Sequence, residues 1–486
     1  MRFFVTGATG FIGQHLVKKI LEEQRNTIYC FVRDEKKISS DISRRVKILK
    51  GDSSSIEQYA HIIQSCQIIF HIGARADFGD GGAYRRDNIE FTNTLIHIAN
   101  GSKKLKRFVF TSTIGAIDRT NDDSCETPLT ENSIPNPSSD YGKSKLICEQ
   151  LLMESKLPYV IIRPVLVYGT GMRRNSHLRV FIEAVAKGKM FSKINFPGKL
   201  SLVHVHDLVV ALLLVAQHPK AVRQTYFVSD DEPISLGNIF QRLGDNLGVN
   251  SGSFNIGFGI PQLLHLTRRY LPFQAQNLFS DVLVASNNKL KMLGFVPKEN
   301  YKQGFLHTVH DHFKREYPQR GVAIITGGAS GIGKSLCEQL YARGYSIVVV
   351  DIDIVKGNAV ANALNGEFVK ADLTDERDVQ RVVLFMQKKI DQISLVVNNA
   401  GIGKRGYTEE IPVDELTAIL TINCEVPVKF INTVLPPFIK RGFGTIINIG
   451  SSAGYQPLPY MSVYAASKAF IIRYSLFMRI LGIDPG

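Results

Sequence analysis

The amino-acid sequence predicts an α/β protein with two doubly wound parallel sheets in tandem, the second of them incomplete. Short apolar strands alternate with helical stretches along most of the chain, a pattern typical of parallel sheets that are covered on both faces. A glycine-rich turn follows the first strand, and the same order of strand, turn and helix begins again near residue 320. The length of 486 residues also exceeds that of a typical single domain.

The two series of strands define two predicted domains, with a boundary where the apolar periodicity lapses. The first series is RFFVTG, TIYCFVR, VKILKGD, QIIFHIGA, RFVFTST and YVIIRPVLVYG. It predicts a domain over residues 1–317, with a nucleotide-binding core at 1–170 and a substrate-binding portion at 170–317. The second series, VAIITG, YSIVVVDI, GEFVKADL, SLVVNNAG and GTIINIGS, predicts a domain over residues 320–486.

Composition is that of an ordinary globular protein, with 44% hydrophobic and 21% charged residues. The six cysteines form no C-x-x-C pair, which fits a reducing compartment and argues against a zinc ribbon or a disulfide framework. The longest apolar run, residues 208–216, is about half as long as a membrane span. No signal-peptide core is evident at the N-terminus. We therefore expect a cytoplasmic protein without a transmembrane segment.

The formal net charge of +14 raises the question of an anionic partner. The basic residues are scattered, however, and the densest cluster is KKLKR at 103–107. No nucleic-acid-binding motif accompanies it. We expect a solvated basic surface and no nucleic-acid partner, although the charge would also suit an anionic cofactor or a coenzyme A thioester.

Two glycine-rich turns, TGATGFIG at 6–13 and TGGASGIG at 326–333, each follow a predicted strand and lead into a helix. Glycine permits the tight turn and lets the backbone approach a pyrophosphate, whose charge then meets the helix N-terminus. Because both structural conditions hold twice, the turns predict two Rossmann-like dinucleotide sites. The residues expected to line them are Gly7, Gly10, Phe11, Ile12 and Gly13, and in the second copy Gly327, Ser330, Gly331, Ile332 and Gly333.

The end of the second strand in each copy predicts which dinucleotide binds. Asp351 stands there in the second copy, and a carboxylate accepts hydrogen bonds from both ribose hydroxyls, which favours NAD(H). Arg33 stands there in the first copy, and a guanidinium would bind the 2′-phosphate of NADP(H). Asp34 follows Arg33 directly, which weakens the prediction of NADP(H) for the first domain.

Two similar pentapeptides, YGKSK at 141–145 and YAASK at 464–468, occur at nearly equal distances beyond the two glycine turns. A Tyr and a Lys four residues apart share one face of a helix. A single such pair would be unremarkable on a helix surface. Each pair here also follows a strand that ends in hydroxyl residues, so we interpret both as catalytic pairs in two copies of one kind of domain.

Together these motifs resemble the short-chain dehydrogenase/reductase family over essentially the whole chain. The first copy is similar to the extended subfamily at TGATGFIG, FHIGA, RFVFTST, YGKSK, IIRPVLVYG and VHVHDL. The second is similar to the classical subfamily at TGGASGIG, NNAG, TIN, INIGSSAG and YAASK. The fusion resembles bacterial two-domain fatty acyl-CoA reductases, in which an extended domain takes a thioester and a classical domain an aldehyde or ketone.

The resemblance implies a role for each matching residue. Tyr141 and Tyr464 would exchange a proton with the substrate oxygen, aided by the charges of the lysine and of the oxidised nicotinamide, which both lower the phenol pKa. Lys145 and Lys468 would bind the cofactor ribose. Thr113 and Ser451 would orient the substrate oxygen, with the neighbouring Ser112 and Ser452 as alternatives. Asn423 would relay a proton, Asn399 would contact the cofactor, and Asp52 and Asp372 would contact the adenine ring.

Three functions remain open on the sequence alone. The first is an NAD(P)H-dependent oxidoreductase acting on a carbonyl, an alcohol or an acyl thioester, with an acyl-CoA, a sterol-like ketone or a nucleotide sugar as candidate substrates. The second is a nucleotide-sugar epimerase or dehydratase, which YGKSKLICEQ also resembles and against which Arg33 counts. The third is a non-catalytic dinucleotide sensor or scaffold, which is disfavoured because both copies keep Tyr and Lys.

Two further expectations concern the second domain and metals. A classical domain continues beyond its catalytic helix through two more strands, so we expect the second copy to be incomplete and inactive. Classical domains often pair through that helix, which suggests a homo-oligomer. His204 and His206 alternate in a predicted strand with no further ligand cluster nearby, so no metal site is expected.

Overall fold

The computed structural model describes residues 1–23, 25–75, 81–118, 127–173, 176–255, 283–299, 301–456 and 458–480. The chain divides into two compact units. The first unit comprises Met1–Asp245 and Val249–Thr308, and the second comprises Asn246–Gly248 and Val309–Gly486. Each unit is built on a parallel sheet with flanking helices, which confirms the predicted tandem α/β architecture.

The first unit contains a seven-stranded sheet with the order β11-β6-β5-β4-β1-β2-β3, in which all neighbours are parallel. Its strands are β1 (Arg2–Thr6), β2 (Thr27–Val32), β3 (Lys47–Lys50), β4 (Ile68–His71), β5 (Arg107–Thr111), β6 (Tyr159–Pro164) and β11 (Gln224–Val228). The strand order reverses between β1 and β4, so the connections leave the sheet in opposite directions. A crevice for a ligand therefore opens at the carboxyl ends of these two strands.

Six shorter strands pair outside this sheet, β7 with β10, β8 with β13 and β9 with β12. They are β7 (Leu166–Tyr168), β8 (Ile194–Asn195), β9 (Lys199–Leu200), β10 (Leu202–His204), β12 (Ile234–Ser235) and β13 (Phe254–Asn255). The described helices up to residue 316 are α1 (Phe11–Ile20), α2 (Ser40–Ser43), α3 (Ala60–Gln64), α4 (Gly81–Tyr84), α5 (Phe91–Asn100), α6 (Asp140–Glu154), α7 (His177–Ala186), α8 (Val205–Gln217), α9 (Leu236–Leu247), α10 (Asn288–Lys291) and α11 (Tyr301–Glu316).

Both faces of the first sheet are covered, which explains its continuous apolar strands. Every residue of β4, β5 and β6 is buried. Because side chains alternate along a strand, Val109 of β5 packs in the cluster that includes α1 and α8. Its neighbours Phe108 and Phe110 pack in the opposite cluster, which includes α5 and α6.

A buried ion pair fastens α6 to the sheet. Arg163 of β6 donates from Nε to Glu149 Oε1 at 3.0 Å and from Nη2 to Oε2 at 2.6 Å. The two side chains are only 4% and 0% exposed. Such a pair is stable because the bidentate geometry compensates for the loss of hydration. It fixes the rotation of the helix that carries the YGKSK segment.

The second unit contains a parallel sheet whose five described strands have the order β16-β15-β14-β17-β18. They are β14 (Val322–Thr326), β15 (Ser346–Asp351), β16 (Glu367–Lys370), β17 (Ile393–Asn398) and β18 (Thr445–Asn448). The described helices beyond residue 316 are α12 (Gly331–Ala342), α13 (Ile354–Ala363), α14 (Glu376–Lys388), α15 (Val413–Leu420), α16 (Val426–Arg441) and α17 (Ser462–Ile480). The order reverses between β14 and β17, as between β1 and β4.

One helical stretch among the described residues, Val413–Arg441, is long and apolar enough to cross a membrane by length and composition. Of its most apolar window, 44% is buried inside the structure. Phe430 and Val434 from this stretch belong to the core of the second sheet. A core helix satisfies the same criterion, so the stretch is weak evidence for a membrane span.

Candidate active sites

Each glycine turn leaves no room for a side chain where the helix begins. Gly7 and Gly327 have φ of +74° and +64°, in the left-handed region that favours glycine. A Cβ on Gly13 would lie 2.1 Å from the Gly7 carbonyl oxygen, and one on Gly333 would lie 2.0 Å from the Gly327 oxygen. The first turns of α1 and α12 contain no acidic residue. Their backbone N–H groups and dipoles are thus suited to a dinucleotide pyrophosphate.

A threonine hydroxyl links the two central strands in each unit. Thr6 Oγ1 accepts a hydrogen bond from the Gly73 amide at 3.1 Å, just beyond β4. Thr326 Oγ1 accepts from the amides of Asn399 and Ala400 at 3.1 and 3.0 Å, just beyond β17. The crevice between these strands is therefore held at a fixed width directly beneath the glycine turn.

The side chain of Asn399 holds the second glycine turn. Its Nδ2 donates to the carbonyl oxygens of Thr326 at 3.0 Å and Gly327 at 3.2 Å. These bonds give Asn399 a structural role, and its predicted contact with a cofactor stays a prediction.

His71 is a buried polar residue at the same crevice in the first unit. Its Nδ1 lies 2.7 Å from Thr6 Oγ1 and its Nε2 lies 2.8 Å from Thr92 Oγ1. Burial, with the nearby charge of Lys145, lowers the pKa of His71 to about 3. The imidazole is therefore neutral at physiological pH and acts as a rigid bridge between β1, β4 and α5.

The residues after the second strand of each sheet differ in charge, as predicted. Arg33 is exposed immediately beyond β2. The carboxylate of Asp34 accepts a hydrogen bond from the Lys36 amide at 3.0 Å and caps a short 3₁₀ turn. Asp351 ends β15, and its Oδ2 accepts from the Ala329 amide in the glycine turn at 2.9 Å. The Asp351 carboxylate is thus held beside the turn, whereas Asp34 is engaged in its own loop.

Two further arginines gather near Arg33 around Asp87. Arg75 Nη1 lies 3.1 Å from Asp87 Oδ2, and Arg86 Nε lies 3.0 Å from Asp87 Oδ1. Burial raises the pKa of Asp87, but the hydrogen bonds of Arg86 and Arg75 and the charges of Arg86 and Arg33 lower it below its usual value. Three guanidinium groups therefore act on the Asp87 carboxylate, and the charges of Glu90 and Asp52 act on Arg86 in turn.

Asp52 and Asp372 occupy equivalent turns after the third strand of each sheet. Asp52 Oδ1 accepts hydrogen bonds from Ser54 N at 3.0 Å and Ser54 Oγ at 2.6 Å. Asp372 Oδ1 accepts from Thr374 N at 3.0 Å and Thr374 Oγ1 at 2.7 Å. The two carboxylates are oriented alike by these bonds, and their contact with an adenine ring stays a prediction.

The lysines of the two Tyr/Lys pairs are anchored in the same way. Lys145 Nζ donates to the Thr111 carbonyl at 2.7 Å, and Lys468 Nζ donates to the Ile449 carbonyl at 2.9 Å. In each copy this carbonyl lies two residues before the predicted hydroxyl residue, Thr113 or Ser451. Burial lowers the pKa of Lys145 to about 8, and burial also lowers the pKa of Lys468.

The two predicted hydroxyl residues also match each other. Thr113 Oγ1 accepts from the Gly115 amide and Ser451 Oγ accepts from the Ala453 amide, both at 3.2 Å. Each residue begins a 3₁₀ turn that packs on the Tyr/Lys helix. A Cβ on Gly142, next to Tyr141, would lie 2.1 Å from the Gly115 oxygen. In the second copy a Cβ on Gly454 would lie 2.8 Å from the Lys468 carbonyl carbon.

The structure thus brings the hydroxyl residue of each copy to its own Tyr/Lys helix. The residues gathered in this way are Thr113, Tyr141 and Lys145 in the first unit, and Ser451, Tyr464 and Lys468 in the second.

Asn88 is a site residue that the sequence analysis missed. Asn423 donates from Nδ2 to Ser467 Oγ and to the Ile402 carbonyl, both at 2.9 Å. Asn88 donates from Nδ2 to Ser144 Oγ at 3.0 Å and to the Arg75 carbonyl at 3.1 Å. Both asparagines lie in a π-helical turn, Arg85–Glu90 or Thr421–Glu425.

A signal for this equivalence was present in the sequence. The serine that each asparagine contacts, Ser144 or Ser467, directly precedes the lysine of both pentapeptides. A repeated serine at that position indicates a repeated partner.

Burial raises the pKa of Tyr141 to about 12. The resemblance implies that the lysine and the oxidised nicotinamide together lower this pKa, and that stays a prediction. The Lys145 ammonium is held by the Thr111 carbonyl, and its own pKa is lowered by burial. A Tyr141 phenol that keeps its proton is suited to donating it to a substrate oxygen, which is the direction of carbonyl reduction.

Comparison with known families gives two matches along the chain. The model of the NAD dependent epimerase/dehydratase family matches residues 3–229. The model of the short chain dehydrogenase family matches residues 321–480. The two matches correspond to the two sheets and include both Tyr/Lys pairs.

Three similar proteins represent both types. Glycine betaine reductase ATRR of Emericella nidulans is 22% identical over 545 aligned positions, covering 96% of this chain and 42% of that protein. Very-long-chain 3-oxoacyl-CoA reductase of Neurospora crassa is 33% identical over 178 positions, covering 33% of this chain and 52% of the relative. UDP-glucose 4-epimerase of Vibrio cholerae is 30% identical over 251 positions, covering 49% of this chain and 74% of the relative. This chain therefore spans only about half the length of the first two relatives.

Solved structures share the fold. UDP-glucuronic acid 4-epimerase from Bacillus cereus is 19% identical with a TM-score of 0.53, covering 65% of this chain and 100% of that one. UDP-glucose 4-epimerase from Thermotoga maritima is 22% identical with a TM-score of 0.52, covering 65% of this chain and 99% of that one. The chain therefore belongs to the short-chain dehydrogenase/reductase superfamily of NAD(P)-dependent enzymes and joins an extended-type domain to a classical-type domain.

Proposed function

We propose that the first unit reduces an acyl thioester to an aldehyde with NADPH, and that the second unit reduces a carbonyl group with NADH. The second part departs from the expectation that this unit is inactive, because its lysine, hydroxyl residue and asparagine are held as in the first unit. The observation that carries this proposal is the equivalence of the two sites, in which lysine, hydroxyl residue and asparagine make the same hydrogen bonds. A protein named as a reductase aligns with 96% of this chain and hence with both sites. Proteins named as 3-oxoacyl-CoA reductases align with about a third of it.

A nicotinamide bound at the first glycine turn would supply hydride to the carbonyl carbon of the thioester. Tyr141 gives its proton to the carbonyl oxygen, which Thr113 orients by a hydrogen bond and stabilises as charge develops. Collapse of the resulting hemithioacetal breaks the carbon–sulfur bond and releases a thiol and an aldehyde. Ser451 and Tyr464 would perform the same orientation and proton donation on a carbonyl substrate in the second unit, where the product is an alcohol.

The choice of NADP(H) for the first unit rests on Arg33, which is exposed at the end of β2. One oxygen of the neighbouring Asp34 accepts a hydrogen bond from the Lys36 amide. Asp351 in the second unit supports NAD(H), because its carboxylate is fixed beside the glycine turn and would repel a 2′-phosphate.

Replacing Arg33 by Ala is expected to raise the Kd for NADPH about 10- to 100-fold, the value of one or two charge-assisted hydrogen bonds. The Kd for NADH should change little, since NADH lacks the 2′-phosphate. Fluorescence titration of the full chain with each cofactor measures both constants. Arg44→Ala, which removes another exposed arginine of this unit, is the matched control, and equal weakening of NADH and NADPH would contradict the assignment.

The substrate class is tested by incubating the purified chain with NADPH and a long-chain acyl-CoA. We expect oxidation of NADPH with release of one free thiol for each aldehyde formed, and formation of alcohol when NADH is added. Oxidation with a ketone but without thiol release from any thioester would overturn the thioester proposal and leave carbonyl reduction. Absence of oxidation with thioesters, aldehydes and ketones alike would overturn both.

A second candidate for the first unit is nucleotide-sugar epimerisation. The 30% identity with the Vibrio cholerae UDP-glucose 4-epimerase over 251 positions favours it. An epimerase returns the hydride to its substrate, so no net cofactor is consumed. Conversion of UDP-glucose without added cofactor, by protein that copurifies with NAD, would establish this candidate instead.

A further inference from the structure

His204 and His206 of the VHVHDL segment lie close to Glu299 in the first unit, and the proposed reaction uses none of these three residues. β10 ends at His204 and α8 begins at Val205, so His206 lies in the first turn of a helix and not in a strand as the sequence suggests. His206 Nδ1 is 3.3 Å from Glu299 Oε1, and His204 Nδ1 is 4.0 Å from the same oxygen. No third ligand is expected here from the sequence, whereas the fold places Glu299 beside the two histidines.

The position of Glu299 is fixed by the adjacent Asp207. The Asp207 carboxylate accepts hydrogen bonds from the Lys298 amide at 3.1 Å and from the Glu299 amide at 2.9 Å. These bonds hold the chain at 298–299 against the start of α8. The Glu299 side chain is thereby directed at the two imidazoles by a backbone that is itself anchored.

A buried tyrosine, Tyr168, packs next to His204. Tyr168 is fully buried, and its ring lies 5.1 Å from the His204 ring. Its hydroxyl has no hydrogen-bond partner among the described residues. The charges of Asp230, Asp207 and Glu299 all act on this hydroxyl.

The donor set and its geometry point to one class of ligand. Two imidazole nitrogens and one carboxylate oxygen are a typical ligand set for Zn²⁺, and the three atoms lie within 4.8 Å of one another. Tetrahedral bonds of about 2.0–2.2 Å place ligand atoms roughly 3.3 Å apart. His206 and Glu299 are already at that separation. His204 Nδ1 accepts a hydrogen bond from the His206 amide at 3.4 Å, and coordination through this nitrogen would replace that bond.

We propose that His204, His206 and Glu299 bind one divalent transition-metal ion, with Zn²⁺ as the best match. His204 is buried, whereas the side chains of His206 and Glu299 are 55% and 38% exposed, so the ion can enter from solvent and keep a water as its fourth ligand. The ion fastens the chain at residues 298–299 to the corner between β10 and α8. It stabilises the first unit because only the folded chain brings the three ligands together.

The test is a titration of the untagged, metal-free full chain with Co²⁺, which reports tetrahedral coordination through its visible absorption. We expect one equivalent to produce these bands, one equivalent of Zn²⁺ to abolish them, and Zn²⁺ to raise the melting temperature. His206→Gln and Glu299→Gln should each lose the bands and the thermal shift. Both replace partly exposed side chains, so both variants should fold.

The matched control is His97→Gln, which removes an exposed histidine on α5 and should behave as the unaltered chain. The proposal is overturned if the unaltered chain gives no tetrahedral bands. It is equally overturned if His206→Gln and Glu299→Gln bind Co²⁺ as tightly as His97→Gln does. Neither readout depends on the reductase activity.

Discussion

The variant Tyr141→Phe is expected to lose NADPH-dependent turnover by about 100- to 10,000-fold, the range that a positioned general acid contributes. The substitution removes one oxygen and keeps the ring. The helix that carries it stays in place, because Glu149 and Arg163 still pair and Gly142 still packs on Gly115. The Kd for NADPH should therefore stay within about twofold of the original, since no binding contact is removed.

Single-turnover kinetics with an acyl-CoA would separate the chemical step from binding. Tyr84→Phe is the matched control, because Tyr84 is another tyrosine of the first unit, with its ring 6.2 Å from the Tyr141 ring. Tyr464→Phe should spare thioester reduction and reduce only the carbonyl step of the second unit. Full activity of Tyr141→Phe would refute the catalytic assignment of Tyr141. Cofactor binding without turnover in the unaltered chain would favour a sensor or scaffold.

The variant Gly13→Ala is expected to weaken NADPH binding by the first unit about 10- to 100-fold, the effect of overfilling a closely packed site. The added Cβ would lie 2.1 Å from the Gly7 oxygen and 2.8 Å from the Gly7 carbonyl carbon. Because both neighbours are backbone atoms, the clash is relieved only by moving the start of α1 away from the turn. That movement displaces the N–H groups that face the pyrophosphate.

The reciprocal variant Gly333→Ala serves as its control, since its Cβ would lie 2.0 Å from the Gly327 oxygen in the second unit. Equilibrium titration should show that Gly13→Ala impairs NADPH binding and spares NADH binding, with the reverse for Gly333→Ala. If both variants weakened the same cofactor, the division of NADP(H) and NAD(H) between the units would be wrong. Circular dichroism would verify that each variant is folded.

The strands, the glycine turns and the two Tyr/Lys pairs could be predicted from the sequence because their signals are local. A buried parallel strand is a continuous apolar run, and a turn that excludes Cβ atoms needs glycine at fixed offsets. The spacing of Tyr141 and Lys145 places both on one helix face. The repeat then extends each conclusion to the second unit, including the match of Thr113 with Ser451.

Other features depend on contacts between distant parts of the chain, and only the tertiary structure decided them. Asn88 reaches Ser144 because the turn at 85–90 passes beside α6. The pKa of Tyr141 is raised because the packed elements around it partly bury the phenol, and burial of this kind cannot be read from neighbouring residues in the sequence.

The cluster of His204, His206 and Glu299 could not be predicted from the sequence for the same reason. Glu299 joins His204 and His206 from 93 residues beyond His206. Spacing in the sequence determines which side chains lie on the same helix or strand. Burial, and contacts between different helices and strands, depend on how the chain packs. The two Tyr/Lys pairs belong to the first kind of information, and the pKa values and the proposed metal site belong to the second.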